Sequence, residues 1–419
     1  MSVARDRARG LTPAPASCRL SRVNRKHSIG LEHRAGAPAG AALTRLTLTD
    51  FRNYEHLALR VAPGPVVLTG ENGAGKTNLL ESISFFAPGR GLRRAALADC
   101  ARHAGAGGWA AACEIATPSG TVRLGTGLIG NAAEEERQRK CRIDGRTVSG
   151  PGAFGEFVRI VWLTPAMDRL FTGPSGDRRR FLDRLVSLIE PAHSRGAGRY
   201  DRAMSERNRL LSEASGEDRW LDALEAEMAE TGVAMAAGRL AALDRLQAVI
   251  DAGAPSSDFP PARLSLVGEV EDALAAMPAL DAEDRLRADL RNARARDRAA
   301  GRTLDGPHRS DLVARHGATG ADAAHCSSGE QKALLISVVL AQARLVAELG
   351  GAPPLILLDE VTAHLDRRRR ESLFADVLGI GAQAWMTGTD RELFAALGPN
   401  GQFFTVADGR VTPSPAIGG

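Results

Sequence analysis

The chain has 419 residues, 44 % of them hydrophobic, and its 54 Lys and Arg against 50 Asp and Glu leave a formal net charge of +4. That length and apolar content suffice for two or more domains with buried cores. The small charge excess excludes reading a nucleic-acid partner from net charge alone, and five cysteines without a C-x-x-C pair exclude both a disulfide framework and a zinc site.

A soluble protein in a reducing cytoplasm is expected, because no window holds eighteen uninterrupted apolar residues. Only Lys26, Lys76, Lys140 and Lys332 are lysines. Arginine carries the remaining positive charge, which fits a GC-rich genome, so arginine runs are discounted as functional signals.

Residues 1–41 are basic and rich in Ala, Gly, Pro and Ser, the composition of a disordered extension. Order is expected to begin at "LTRLTLTDFRNYEHLALRV", where Leu46 and Leu48, then Leu57, Leu59 and Val61, alternate with other residues as in two paired strands. "VVLT" at 66–69 reads as a buried strand running into a glycine-rich turn and a helix, "KTNLLESISFF". Further strands flank a Pro-Ser-Gly turn at 118–120, and Asp144-Gly145 is a strong two-residue hairpin signal. From about Gly176 the spacing becomes helical: Leu221, Leu224, Met228 and Met235 step by three, four and seven, and the pattern ends near Gly253 and Pro255. Two or three amphipathic helices are expected there rather than an extended coiled coil. After Arg302 an apolar helix, the strand "PLILLDE", a helix, the strand "AQAWMTGT" and a terminal hairpin near "FFTVADGRVT" imply a mostly parallel sheet. The expected organisation is an α/β head formed by 42–170 and 301–419, split by a helical lobe at 171–300.

Gly70-Glu71-Asn72-Gly73-Ala74-Gly75-Lys76-Thr77 fits the P-loop pattern, with the strand before it and the helix after it that the pattern requires. Glycines let backbone N–H groups turn toward phosphates, and the helix N-terminus adds partial positive charge. Lys76 suits the β/γ oxygens, and the Thr77 hydroxyl suits Mg²⁺. "PLILLDE" ends in Asp359, a second candidate Mg²⁺ ligand, and Glu360, a candidate for polarising water. Ser327-Ser328-Gly329-Glu330-Gln331 opens a long helix with a capping serine.

These three motifs in this order resemble the ABC-type ATPases. The stretch of chain between Thr77 and Asp359 is too long for a transporter ATPase domain and too short for the arms of SMC proteins. With "DFRNYE", "PGRGLR", "LTPAMDRLFTGPSGDRRRFLD", "TLDGPHRSDL", "SSGEQKALLISVVLAQA" and "LLDEVTAHLD", it resembles the RecF family from about residue 43 onward. The resemblance implies an ABC-type P-loop head split by a helical insertion, with ATP and Mg²⁺ as cofactors. It assigns catalysis to Glu360 and Lys76, nucleotide binding to 70–77, and metal binding to Thr77 and Asp359. It makes Ser328 and Gly329 the contact with the nucleotide of a second copy, in an ATP-dependent homodimer, and puts Asp366 at that interface. Arg52 and Asn53 resemble residues flanking the nucleotide, and read equally well as a polar turn.

The resemblance further implies non-specific DNA backbone binding in recombinational repair, replication and the SOS response, with RecR and other recombination mediators as partners and recombinase loading at gaps as the outcome. No membrane partner is implied. Thr387-Gly388-Thr389-Asp390 stands where transporters have a switch histidine, which implies slow hydrolysis, and "LTPAMD" replaces their Q-loop glutamine. Ser310 replaces one of two acids usual in the family. His308 and Arg309 read as a structural turn. Candidate DNA contacts are Arg90, Arg93, Arg94, Arg178 to Arg180, Arg291, Arg294, Arg296 and Arg298. The alternatives are the nucleotide-binding subunit of a transporter, which co-purification with membranes would reveal, and a short SMC-like structural tether.

Overall fold

The computed structural model describes residues 40–130, 138–213, 218–253 and 257–415. The extension expected over 1–41 lies, apart from Gly40 and Ala41, outside the described residues.

The first expected strand pair forms as β1 (Ala42–Phe51) and β2 (Tyr54–Arg60), and β3 (Val66–Thr69) runs into α1 (Lys76–Ser84) through the glycine-rich turn. Next come β4 (Trp109–Thr117), β5 (Gly120–Leu128), β6 (Lys140–Ile143) and β7 (Arg146–Val148). With β1 and β2 these four make an antiparallel sheet of order β2-β1-β4-β5-β6-β7. Asp144 (φ 47°) and Gly145 (φ 82°) close the β6–β7 hairpin with the two left-handed residues that match strand twist. Buried and exposed residues alternate along β4, as expected of a sheet with one face on a core.

β8 (Ile160–Leu163), β11 (Leu355–Leu358), β12 (Ala384–Gly388), β13 (Gln402–Ala407) and β14 (Arg410–Ser414) build the second sheet around β3, in the order β14-β13-β3-β12-β11-β8. All its neighbours are parallel except the terminal β13–β14 hairpin. β3, β8, β11 and β12 are buried throughout, because the sheet is covered on both faces. Their period of two splits the covering cleanly. Val66, Leu68, Ile160, Trp162, Leu355, Leu357 and Trp385 face a core shared with α1 and the antiparallel sheet. Val67, Val161, Leu163, Ile356, Leu358 and Met386 face a second core, built by α8 (Ser328–Gly350), α9 (Arg367–Ile380) and part of the lobe. By length and composition α8 is apolar enough to cross a membrane, but 67 % of its apolar window is buried in this core, which accounts for that composition.

In the lobe, α2 (Ser175–Ile189) is followed by α3 (Ala192–Glu213) and α4 (Asp218–Ala252), then by α5 (Glu269–Ala276), α6 (Ala279–Asn292) and α7 (Arg294–Ala300). The helical expectation needs one correction. β9 (Ala262–Val267) pairs antiparallel with β10 (Asp311–His316), so a strand ladder straddles residue 300, where the lobe was expected to end. The alternation of Leu264 and Leu266 with polar neighbours is the signal for β9, and its partner lies too far along the chain to be read locally.

The lobe is tied to the "TLDGPHRS" segment by buried polar groups. Tyr200 Oη lies 2.8 Å from His308 Nδ1, and His308 Nε2 lies 3.1 Å from the Thr303 carbonyl. A carbonyl only accepts, so Nε2 carries the proton and Tyr200 donates to Nδ1. Ser310 Oγ donates to Glu271 Oε1 at 2.7 Å, with Arg239 Nη1 at 4.0 Å from that carboxylate. Glu271 therefore already supplies a buried negative charge, and an acid at 310 would crowd a second carboxylate against it. Burial holds the His308 imidazole below the ordinary histidine value. Its contribution is fully present above about pH 6.5 and is lost as pH falls through the lowered value, because the unfolded chain takes up the proton first. We expect the melting temperature to fall between pH 7 and 5, and His308→Gln to flatten that dependence. An unchanged slope would show that His308 is not the group responsible.

Candidate nucleotide site

At its two ends the glycine-rich turn makes contacts that leave no room for side chains. Gly70 has φ 150°, and a Cβ there would meet the Val406 carbonyl at 2.2 Å. Gly75 has φ 110°, and its Cβ would meet Asn53 Nδ2 at 2.5 Å. Gly73 has φ 84° with nothing within 4 Å of a Cβ, so its backbone conformation alone favours glycine on the open side of the turn. α1 then begins without a side-chain cap and with no acid in its first turn. Its first amides and its dipole are thus left for an anion. Lys76 is only 5 % exposed, and its ammonium donates to the carbonyls of Gly70 (2.7 Å) and Glu71 (2.8 Å). Burial pushes its pKa down, and Glu360 and Asp359 partly offset that. A desolvated cation beside free amides fits a polyphosphate.

Asp359 closes the other side. It lies just past the end of β11, its backbone N–H held by the Leu163 carbonyl at 2.9 Å. Its Oδ1 accepts from Thr77 Oγ1 at 2.9 Å and from Thr387 Oγ1 at 2.7 Å. Residues 282 apart in the chain thus meet where one hydroxyl and one carboxylate can share a divalent cation. Among the described residues no three His, Cys, Asp or Glu side chains cluster as a metal cage. Glu360 has φ 49°, a conformation uncommon outside glycine, and its N–H donates to Thr387 Oγ1 at 2.8 Å.

Thr387 was missed as a site residue. No local signal marks it: only the pairing of β11 with β12, Leu358 opposite Met386, places residue 387 beside Asp359.

Arg52 and Asn53 turn the β1–β2 hairpin against the P-loop from outside. Arg52 forks onto buried Glu81 (2.8 and 2.7 Å) and donates to the Asp99 carbonyl (2.7 Å), while Asn53 donates to the Ala74 carbonyl (3.1 Å) and accepts from Asn78 (2.8 Å). Both commit their hydrogen bonds to protein partners and brace the loop. The "LTPAMD" loop follows β8, and Asp168 stands 3.6 Å from Lys332 of α8, linking it to the helix that Ser328 opens.

That helix carries a full capping box between Ser327 and Glu330. Ser328 and Gly329 are exposed. A Cβ on Gly329 would meet nothing within 4 Å, so no internal contact requires glycine there. Asp366 caps α9 through the Arg369 N–H at 2.8 Å.

Most of the arginines proposed for DNA are engaged elsewhere. Arg178 forks onto Asp311, Arg179 donates to the Ser310 carbonyl, Arg294 pairs with Glu225 and Asp222, Arg296 with Asp305, Arg298 with the Leu211 carbonyl, and Arg93 with Glu81. Arg291 lies 3.7 Å from Asp222, and Arg180 pairs with Asp177. Among the described residues, Arg90 and Arg94 are the members of that set with no hydrogen bond or ion pair.

A glycine cradle beneath a helix, a Thr–Asp pair across two strand ends and a capped serine helix before the second strand define an ABC-type P-loop head divided by a lobe. The match to known proteins is specific: residues 42–396 fit the RecF/RecN/SMC N terminal domain. The chain belongs to the RecF family. It is 52 % identical over 377 residues to the DNA replication and repair protein RecF of Mesorhizobium japonicum, covering 90 % of this chain and 99 % of that one. With the Brucella suis protein of the same name the identity is 50 % over 382 residues, 91 % of this chain and 98 % of the other. The fold matches the structure of the recombination mediator protein RecF-ATPrS in the RecFOR pathway with a TM-score of 0.79 at 20 % identity, over 90 % of this chain and 100 % of the other.

Proposed function

We propose that the protein is a slow ATPase that binds DNA and acts in recombinational repair and replication, pairing with a second copy on binding ATP. The single observation carrying this reading is the meeting of Thr77, Asp359 and Thr387 beneath the glycine cradle. The names of the relatives supply the DNA repair setting.

Gly70 to Thr77 would wrap the phosphates, with the Lys76 ammonium turning from the loop carbonyls to the β/γ oxygens. Thr77 and Asp359 would hold Mg²⁺, which when bound neutralises charge on those phosphates. Glu360 is the base that orients the attacking water, and its constrained backbone fixes where its carboxylate begins. Ser328 and Gly329 of a second copy complete the site from outside. Pairing then follows the γ-phosphate, which touches both copies. DNA is held by its backbone without sequence preference, so affinity falls as salt rises. By its family, the protein works in the cytoplasm with RecR and other mediators to load recombinase at gaps, including during the SOS response.

Retention of duplex DNA at two salt concentrations, with and without ATP, tests the proposal: ATP-dependent, salt-sensitive retention is expected, and indifference to both refutes it. Thr387→Val removes one of the two hydroxyls fixing Asp359. It is expected to weaken Mg²⁺-dependent nucleotide affinity by about 10–100-fold, read by fluorescent-nucleotide titration with and without Mg²⁺. Equal affinities for the two proteins would remove Thr387 from the site.

A further inference from the structure

A cleft of about 910 Å³ opens at Thr77, Asp359 and Glu360 and runs between the head and α2, past Arg94, Arg180 and Arg184. A second hollow of about 480 Å³ shares Leu92, Arg94, Trp162, Arg180 and Arg184 with it and extends to Arg90. The two acids on the α2 side of this path are already used. Asp177 pairs with Arg180, and Asp183 is taken by Arg239 (2.7 and 2.9 Å) and His193 (3.0 Å). Three of the arginines are not. Among the described residues, Arg90, Arg94 and Arg184 have neither a hydrogen bond nor an ion pair.

Arg184 is the most unusual of them. Its guanidinium lies 4.2 Å from the Trp162 ring centroid and 5.5 Å from that of Phe181, and its buried Nη2 has no partner. Burial holds its pKa down to about 10. Arg94 holds φ 56°, a left-handed backbone that a non-glycine residue adopts only where the surroundings impose it. Its own pKa is lowered by burial and then by the neighbouring Arg180 and Arg90 charges. Two cations on one wall, Arg184 desolvated and Arg94 both strained and repelled, oppose stability unless an anion compensates them.

We propose that Arg94, Arg180 and Arg184 form a phosphate-binding site in this cleft, separate from the P-loop, that accepts a tetrahedral phosphate oxyanion. Guanidinium forks match phosphate oxygens two at a time, and Trp162 holds the Arg184 plane fixed for that purpose. Two sources supply the chemistry. One is the orthophosphate released at the Glu360 end of the same cleft, and the other is a phosphodiester of bound DNA. The site itself does not depend on the nucleotide reading above, and only the first of these sources does.

The test uses the full chain in inorganic phosphate, with chloride at matched ionic strength as the control. Lys76→Ala removes the phosphate grip of the P-loop, so any thermal stabilisation by phosphate that survives in it belongs elsewhere. That stabilisation is expected to survive in Lys76→Ala and to need at least about tenfold more phosphate once Arg94→Gln and Arg184→Gln are added. Because Arg184→Gln alone risks unpacking Trp162, Arg94→Gln and Arg184→Lys are measured separately. Both should weaken phosphate binding, because glutamine at 94 loses the charge and lysine at 184 keeps the charge but loses the fork. In parallel, duplex-DNA retention is compared for wild type and the Arg94→Gln, Arg184→Gln pair. Loss of phosphate stabilisation alone identifies the free ion as the source, and loss of DNA retention identifies the backbone. Unchanged phosphate response and unchanged DNA retention in the pair overturn the proposal. Failure of wild type to bind ATP, with phosphate still stabilising Lys76→Ala, would refute the nucleotide reading and leave this site standing.

Discussion

Gly329→Arg is expected to abolish ATP-dependent pairing while leaving the isolated protein folded. The residue lies in the first turn of α8, exposed, with open space around an added Cβ and no positive φ to justify glycine. Glycine in a helix lowers stability by roughly 0.5–1 kcal/mol relative to alanine, so Gly329→Ala should raise the melting temperature slightly. If the helix approaches the nucleotide of a second copy, the same change should impair pairing, and the bulk of arginine should weaken the dimer by at least about 100-fold, ~2.7 kcal/mol. Stability and pairing then move in opposite directions. Sedimentation with ATP together with a thermal melt reads both. Wild-type pairing in Gly329→Arg would show that the helix tip faces no partner.

The second large effect concerns the lobe. Arg207 is fully buried and donates to Glu225 Oε1 (2.9 Å), Asp297 Oδ2 (2.7 Å), Thr303 Oγ1 (2.9 Å) and the Leu290 carbonyl (2.7 Å). Glu225 is also held by Arg294 (3.0 and 2.6 Å). Removing Arg207 leaves two buried carboxylates short of a partner, so Arg207→Ala is expected to lower unfolding free energy by about 3–5 kcal/mol. Arg209, two residues on, makes equally short contacts with Glu206 and Glu213 on the exposed face of α3. Arg209→Ala should leave the denaturation midpoint where it is, because water screens that pair. Equal losses from the two substitutions would mean that the buried network does not hold the lobe together.

The parts of this protein that were legible in the sequence are those whose physics is local. The glycine-rich turn, the helix after it, the Asp144-Gly145 hairpin and the Ser327 cap each declare themselves within a few residues, and all formed as expected. Pairings across the chain did not declare themselves. Thr387 meets Asp359 only because β12 lies beside β11, and β9 finds β10 across α5, α6 and α7. The partners of the arginines stayed hidden for the same reason. Nothing near Arg178 in the chain announces Asp311, 133 residues away, nor does anything near Arg207 announce Asp297, 90 residues away. Arg184, which no pattern singled out, shows itself only once Trp162 lies under it and the neighbouring acids are seen to be taken.

The central claim is that one copy's glycine cradle and another copy's Ser328 helix together grip a single nucleotide. Mixing two defective proteins tests it most directly: Lys76→Ala, which lacks the grip but keeps the helix, and Gly329→Arg, which keeps the grip but lacks the helix. Each alone should stay monomeric in ATP, whereas the mixture should yield heterodimers with one complete site, seen by sedimentation with one partner labelled. A mixture that stays monomeric, while wild type pairs under the same conditions, would contradict the shared site.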